Sequence, residues 1–287
     1  MPSIALMLDP DHLRNDAPSL FDFDEGVKWL VPLKNYLAPG LPDHAEAYLR
    51  DARPDGLWEA RSALAAITDL PALYERVRSW TEARDVVGYH GTRLDDEQRA
   101  DVARRGLIPL APIDRADALE RFLSPHPRWN EVRDRLNEAI QFVGGGGAGN
   151  RGGQVHLTLS GAGMLRSFNH YLVEGSEFDH HVVNFLFGEE CHDLNRRRGR
   201  ALLYRVRIEG ASAIAAANPF GEPANPNLLS EILDTFAWFL ATGETGTRDQ
   251  RVDSGMIFYE GISPERIIDV MEIDDEELWP DYDHRLR

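Results

Sequence analysis

The sequence predicts an α+β fold with helices first and strands concentrated after residue 85. Two observations carry this reading. Residues 1–85 set apolar positions at helical spacing between Pro, Gly and Asp breaks, and beyond them short apolar runs of strand period, bounded by turn residues, take over. A third observation narrows the class: no Gly-x-Gly-x-x-Gly turn and no strict strand–helix alternation occurs, which disfavours a doubly wound nucleotide-binding sheet.

In the N-terminal region the spacing predicts helices over 57–67 and 70–81, separated by breaks such as Leu37–Asp43 and Asp51–Gly56. This region reads as a helical cap or adaptor and carries no chemical motif. Residues 85–90 (Asp-Val-Val-Gly-Tyr-His) predict a strand ending at His90. The following helix has clear ends, with Asp95 as N-cap, Gln98 at the third helical position to complete a capping box, and Gly106 as the stop. His90 is therefore expected in a loop between strand and helix.

A helix ending near Val143 leads into the glycine run 144–150, which suits a mobile flap or a linker; the Lys-Ser/Thr ending of a P-loop is missing. Val155–Thr158 predicts a strand. So does 201–208, where Leu202, Tyr204, Val206 and Ile208 alternate with Leu203, Arg205 and Arg207. Leu228, Leu229, Ile232, Leu233, Phe236, Phe239 and Leu240 mark an amphipathic helix whose stripe is core. A strand over 255–260, a helical turn opened by Ser263-Pro264 and a last strand over 267–273 complete the pattern. The expected organisation is a helical region 1–85, a mixed domain 86–273 and an acidic, solvated tail 274–287.

Composition limits the partners. With 48 acidic against 31 basic side chains the chain carries a formal charge of −17, which repels nucleic-acid backbones and anionic lipid. The basic run Asn195–Arg200 reads as a solvated loop. The single cysteine, Cys191, excludes an internal disulfide and fits a reducing compartment, while its acidic neighbours Glu189, Glu190 and Asp193 disfavour a thiolate nucleophile. No apolar run reaches membrane-spanning length and no signal pattern opens the chain, so a soluble, cytoplasmic protein is expected.

Ten histidines invite a metal reading, yet the adjacent His180 and His181 point to different sides of any regular element. No His-x-x-x-His pair and no second cysteine accompanies them, so no metal is expected. A serine triad is disfavoured too, because Thr158 and Ala162 stand where the glycines around Ser160 belong in Gly-x-Ser-x-Gly.

Two phrases do better together. His90-Gly91-Thr92, followed by a capped helix ending in Gly106-Leu107, and then Val155-His156-Leu157-Thr158 after a glycine-bearing loop resemble the ADP-ribosyltransferase superfamily. In motif they are closest to the RNA 2′-phosphotransferase branch, which carries His-Gly-Thr and Val-His-Leu-Ser; the poly(ADP-ribose) polymerase branch has tyrosine where His156 stands. The likeness runs through 200–208 and 255–267 and covers about 86–273. It implies split antiparallel β-sheets with surrounding helices, NAD as co-substrate and transfer of ADP-ribose to a macromolecular acceptor, protein or RNA. In a toxin or effector of this kind, the N-terminal helices would bind a target or an inhibitor.

The resemblance also implies residue roles. His90 would hydrogen-bond the ribose next to nicotinamide, and Gly91 and Thr92 would let the backbone approach the cofactor. His156 would lie flat against nicotinamide or its ribose, above a floor of Thr158 and Ser160, while Arg93 and Arg151 would meet the diphosphate. Two departures stand out. Where protein-modifying branches place a glutamate at the start of the late strand, this chain has Gly255, and the nearest carboxylates are Asp253 and Glu260. The phosphotransferase branch lacks that glutamate as well but grips an RNA phosphate with arginines, for which Arg200, Arg205 and Arg207 are available. A non-catalytic module binding NAD or ADP-ribose remains the third reading.

Overall fold

The structure is a computed structural model that describes residues 20–145, 152–166, 169–218, 227–246 and 254–278. It is α+β. In chain order the elements are β1 (Leu20–Phe21), α1 (Gly26–Leu37), α2 (Ala45–Ala52), α3 (Leu57–Ala65), α4 (Leu70–Glu82) and β2 (Asp85–Leu94). There follow α5 (Asp96–Arg105), α6 (Ala116–Leu123), α7 (Trp129–Val132), α8 (Leu136–Gly144), β3 (Val155–Thr158), α9 (Gly161–Arg166), α10 (His170–Val173), α11 (Glu177–Phe187) and α12 (Cys191–Arg196). The last are β4 (Arg200–Glu209), α13 (Gly210–Ala216), α14 (Asn227–Thr242), β5 (Gly255–Phe258) and β6 (Ile267–Ile273).

The described residues fall into two compact units, one within Met1–Val87 and Arg207–Ser254, the other within Gly88–Val206 and Gly255–Arg287. In place of the continuous stretch 86–273, the described residues within 207–254 group with the N-terminal helices. The reason is α14: its fully buried stripe of Leu228, Leu229, Ile232, Leu233 and Phe236 packs within the first unit against α2, α3 and α4. Beside it Phe21 meets Trp29 and Trp80 edge-on, each with ring centroids 5.3 Å apart, and the Trp29 indole donates to the Phe23 carbonyl. The Asp69 carboxylate caps α4 by accepting from the Ala72 amide at 3.1 Å.

In place of the expected split sheets, the strands form one sheet in the order β5-β3-β2-β4-β6. β3 pairs antiparallel with β2 and β5, and β4 with β6; β1 runs parallel to the start of β2 in the first unit. The order puts the two histidine strands side by side. A helical core accompanies the sheet, in which Phe178, Val182, Val183, Leu186 and Phe187 of α11 pack against Leu119, Leu123, Ile140 and Val143 of α6 and α8. Each such side chain contributes about 1.5–3 kcal/mol of hydrophobic stabilisation.

Three sequence expectations change at this level. β2 does not end at His90 but continues to Leu94, because it is hydrogen-bonded between two partners and the equally long β4 flanks it. β5 is shorter than expected and ends at Phe258. The acidic segment after β6 is not simply solvated: Asp275 makes a bidentate ion pair with Arg93 at 2.7 and 2.8 Å, and Leu278 is buried. The capping box of α5 forms as expected, with Asp95 accepting from the Gln98 amide at 2.8 Å and Gln98 Oε1 accepting from the Asp95 amide at 3.1 Å.

Gly106 ends α5 at φ 79°, a conformation that glycine adopts without strain, and a Cβ there would fall 1.9 Å from the Ile262 carbonyl oxygen. That carbonyl also accepts from the Leu107 amide at 2.9 Å, so it has no freedom to retreat. Gly106→Ala is expected to destabilise the protein by about 3 kcal/mol, through combined strain and overpacking. Chemical denaturation of the variant against the parent checks this.

Candidate active-site cleft

A cleft of about 850 Å³ opens in the second unit, a volume suited to a small-molecule ligand or cofactor. One wall is His90-Gly91-Thr92 of β2, with Gln154, Val155 and His156 at the start of β3 beside it. The opposite walls are α5, the segment 106–111, Arg115 and Arg121 near and on α6, and Tyr171, Ser176 and Glu177 before and on α11.

Strand pairing explains how the two histidines arrive together. Tyr89 stands opposite Thr158, after which the strands are tied by a side chain: His90 Nδ1 donates to the His156 carbonyl at 2.8 Å. With Nδ1–H committed, the neutral ring carries its lone pair on Nε2, which has no protein partner among the described residues. Burial lowers the His90 pKa below its ordinary value, outweighing the opposite pull of the backbone bond. At neutral pH His90 is thus an uncharged acceptor in the cleft wall. His156 Nε2 donates to Gln154 Oε1 at 2.8 Å, which fixes its ring. Gly91 packs close under Met164: a Cβ there would lie 2.8 Å from Met164 Sδ, so that side chain would have to shift.

Other residues singled out in the sequence take different places. Arg93 is buried and does not line the cleft. Its guanidinium donates to the Arg198 carbonyl at 2.8 Å, to the Leu172 carbonyl at 3.0 Å and to Asp275, so the diphosphate role gives way to a structural one. Ser160 is buried, and its hydroxyl accepts from the Gly163 amide at 2.9 Å at the start of α9. Thr158 is buried between Tyr89 and Gly255, its Oγ1 without a hydrogen-bond partner among the described residues. Glu260 is exposed beyond β5 and absent from the cleft lining. Arg151 and Asp253 lie outside the described residues.

Gly255 pairs with Thr158, so a side chain at 255 would share a face with Thr158 and His156, and nothing lies within 4 Å of the point where its Cβ would stand. No steric reason forbids an acid there. The carboxylates that do reach the cleft are Glu97, Asp101, Asp114 and Glu177. Of these Glu177 is the more sheltered by its own packing, its side chain 21% exposed against 75% for Glu97, and it accepts from the Tyr171 hydroxyl at 3.0 Å.

The cations at the cleft are Arg104, Arg105, Arg115 and Arg121, none of them evident from motif spacing. Arg104 and Arg105 grip Asp101, while Arg115 is held from behind by the buried Asp179, which Arg198 also contacts. Burial would raise the Asp179 pKa, but the two guanidiniums outweigh it and hold the carboxyl at about 2. Arg200 and Arg205, by contrast, pair with Glu272 and Asp269 across β4 and β6 and do not line the cleft.

No family model, curated protein or solved structure is significantly similar to this chain. Among the described residues no helix is long and apolar enough to cross a membrane.

Proposed function

We propose that the chain is an NAD-dependent ADP-ribosyltransferase, which cleaves the bond between nicotinamide and ribose and passes ADP-ribose to a macromolecular acceptor. One observation carries the reading: His90 and His156, from adjacent strands, line a single cleft, and the hydrogen bond between them leaves His90 Nε2 as a neutral acceptor.

The chemistry asks for little more. As the C1′–N bond breaks, its electron pair stays on nicotinamide, which leaves as a neutral ring without a general acid, and the ribose takes on oxocarbenium character. The acceptor oxygen then bonds to C1′ and gives up its proton. His90 Nε2 accepts a hydrogen bond from a ribose hydroxyl and holds the sugar in place. His156 packs its fixed ring against the nicotinamide end. Arg104, Arg105, Arg115 and Arg121 offer the charge for the diphosphate that Arg93 does not supply. Glu177 is the cleft carboxylate placed to receive the acceptor's proton, in place of Glu260.

The RNA 2′-phosphotransferase reading is less well supported, because Arg200, Arg205 and Arg207 pair with carboxylates outside the cleft. Incubation with adenylate-labelled NAD, cell extract, protein and RNA decides between the readings. Nicotinamide release with label on protein or RNA is the expected result. Binding of NAD without release would leave a binding module, and release that depends on 2′-phosphorylated RNA would favour the phosphotransferase.

A further inference from the structure

A second cluster of side chains lies in the same unit. Glu174 caps the C-terminal end of α10, α11 supplies His180, and the start of α12 supplies Cys191 and His192. Potential ligand atoms of His180, Cys191 and His192 lie within 4.8 Å of one another. Glu174 is buried and faces both rings at once, with one carboxylate oxygen 2.5 Å from His192 Nδ1 and the other 2.8 Å from His180 Nδ1. The His180 and His192 rings sit 5.2 Å apart, and Cys191 is buried.

We propose that Glu174, His180, Cys191 and His192 form a binding site for a zinc-class divalent metal ion. One thiolate, two imidazoles and one carboxylate are donors that tetrahedral zinc takes; the thiol and two rings already cluster, and Glu174 meets both rings. Ligand atoms around tetrahedral zinc stand roughly 3.5 Å apart, so closure asks Cys191 and the two rings to draw together by about 1 Å while the Glu174 carboxylate gives way by a smaller amount. Both Nδ1 atoms already point at one carboxylate, the arrangement in which a cation replaces two ring protons. Four protein ligands leave no open position, so the site is structural and not hydrolytic.

Its placement gives it a purpose. Tyr171, Ser176 and Glu177, which line the cleft, flank Glu174 in sequence, and the metal would fasten that segment to α11 and α12. The inference stands apart from the NAD reading, since it rests on different side chains and a different measurement.

Cobalt(II) is the probe, because Cys191 is the only cysteine in the chain. Titration of tag-free, metal-stripped protein with cobalt is expected to saturate at one equivalent. A thiolate-to-cobalt charge-transfer band and intense tetrahedral ligand-field bands should appear, and zinc should abolish both. The charge-transfer band in the parent protein identifies Cys191 whether or not any variant folds. Cys191→Ser should lose that band, and His192→Ala and Glu174→Gln should bind cobalt about tenfold more weakly or worse. Absence of one-equivalent uptake, or uptake with no sulfur band, overturns the site.

Discussion

His90→Ala is expected to reduce nicotinamide release from NAD by about a hundredfold, the loss that follows when a reacting sugar is no longer held in its productive geometry. Among the described residues the ring's hydrogen bond is to the His156 carbonyl, so the substitution leaves a single acceptor to water or to a substitute donor. The associated loss of stability is about 1–3 kcal/mol, readable separately by denaturation. Burial sets a second expectation. Because the His90 pKa lies below its ordinary 6.5, the neutral ring persists as pH falls through that value, and the acidic limb of the rate profile should lie below pH 6.5. Equal turnover and equal NAD affinity in His90→Ala and His156→Ala would refute the proposed use of the cleft.

Asp179→Ala should destabilise the protein by about 3–5 kcal/mol, because it strands the buried Arg198 and frees Arg115 from its anchor. The pH dependence has a definite sign. The Asp179 carboxyl titrates at about 2 in the fold against an ordinary value of 3.8 in the unfolded chain. Its contribution is complete above pH 4 and disappears as pH falls towards 2, and at neutral pH it amounts to about 2 kcal/mol. Denaturation measured between pH 2 and 5 should therefore show the gap between parent and variant narrowing by about 2 kcal/mol as pH falls. The same change should weaken NAD binding, since Arg115 is one of the cleft cations.

Local signals are readable where neighbours in sequence do the work. The capping box of Asp95 and Gln98, the stop at Gly106 and the alternation along β4 depend on residues a few positions apart. The pairing of His90 with His156 follows from matching two phrases, and the strand order places them together. What sequence pattern does not convey is the use of polar side chains across long separations. Arg93 looks like an exposed cation beside a motif, yet its partners are 79, 105 and 182 positions away. Asp179 and the Glu174, His180, Cys191 and His192 cluster are likewise assembled by helix packing. Adjacent histidines do diverge, but their divergence still lets His180 join a Cys-His pair eleven residues on. The apolar positions 178, 182, 183, 186 and 187 recur at helical spacing and are the available sign that this stretch is a packed helix.

β2 occupies the middle of its sheet; β1 meets only its first residues, and the two strands that flank it along the main order come later in the chain, β3 from residue 155 and β4 from residue 200. Its geometry therefore depends on non-local pairing, the slow kind of folding event. During synthesis His90 emerges long before the backbone carbonyl that orients it, and Arg93 waits until residue 275 for its ion-pair partner. A ribosome-bound chain would carry the histidine motif without a formed cleft until β3 and β4 have emerged to pair with β2.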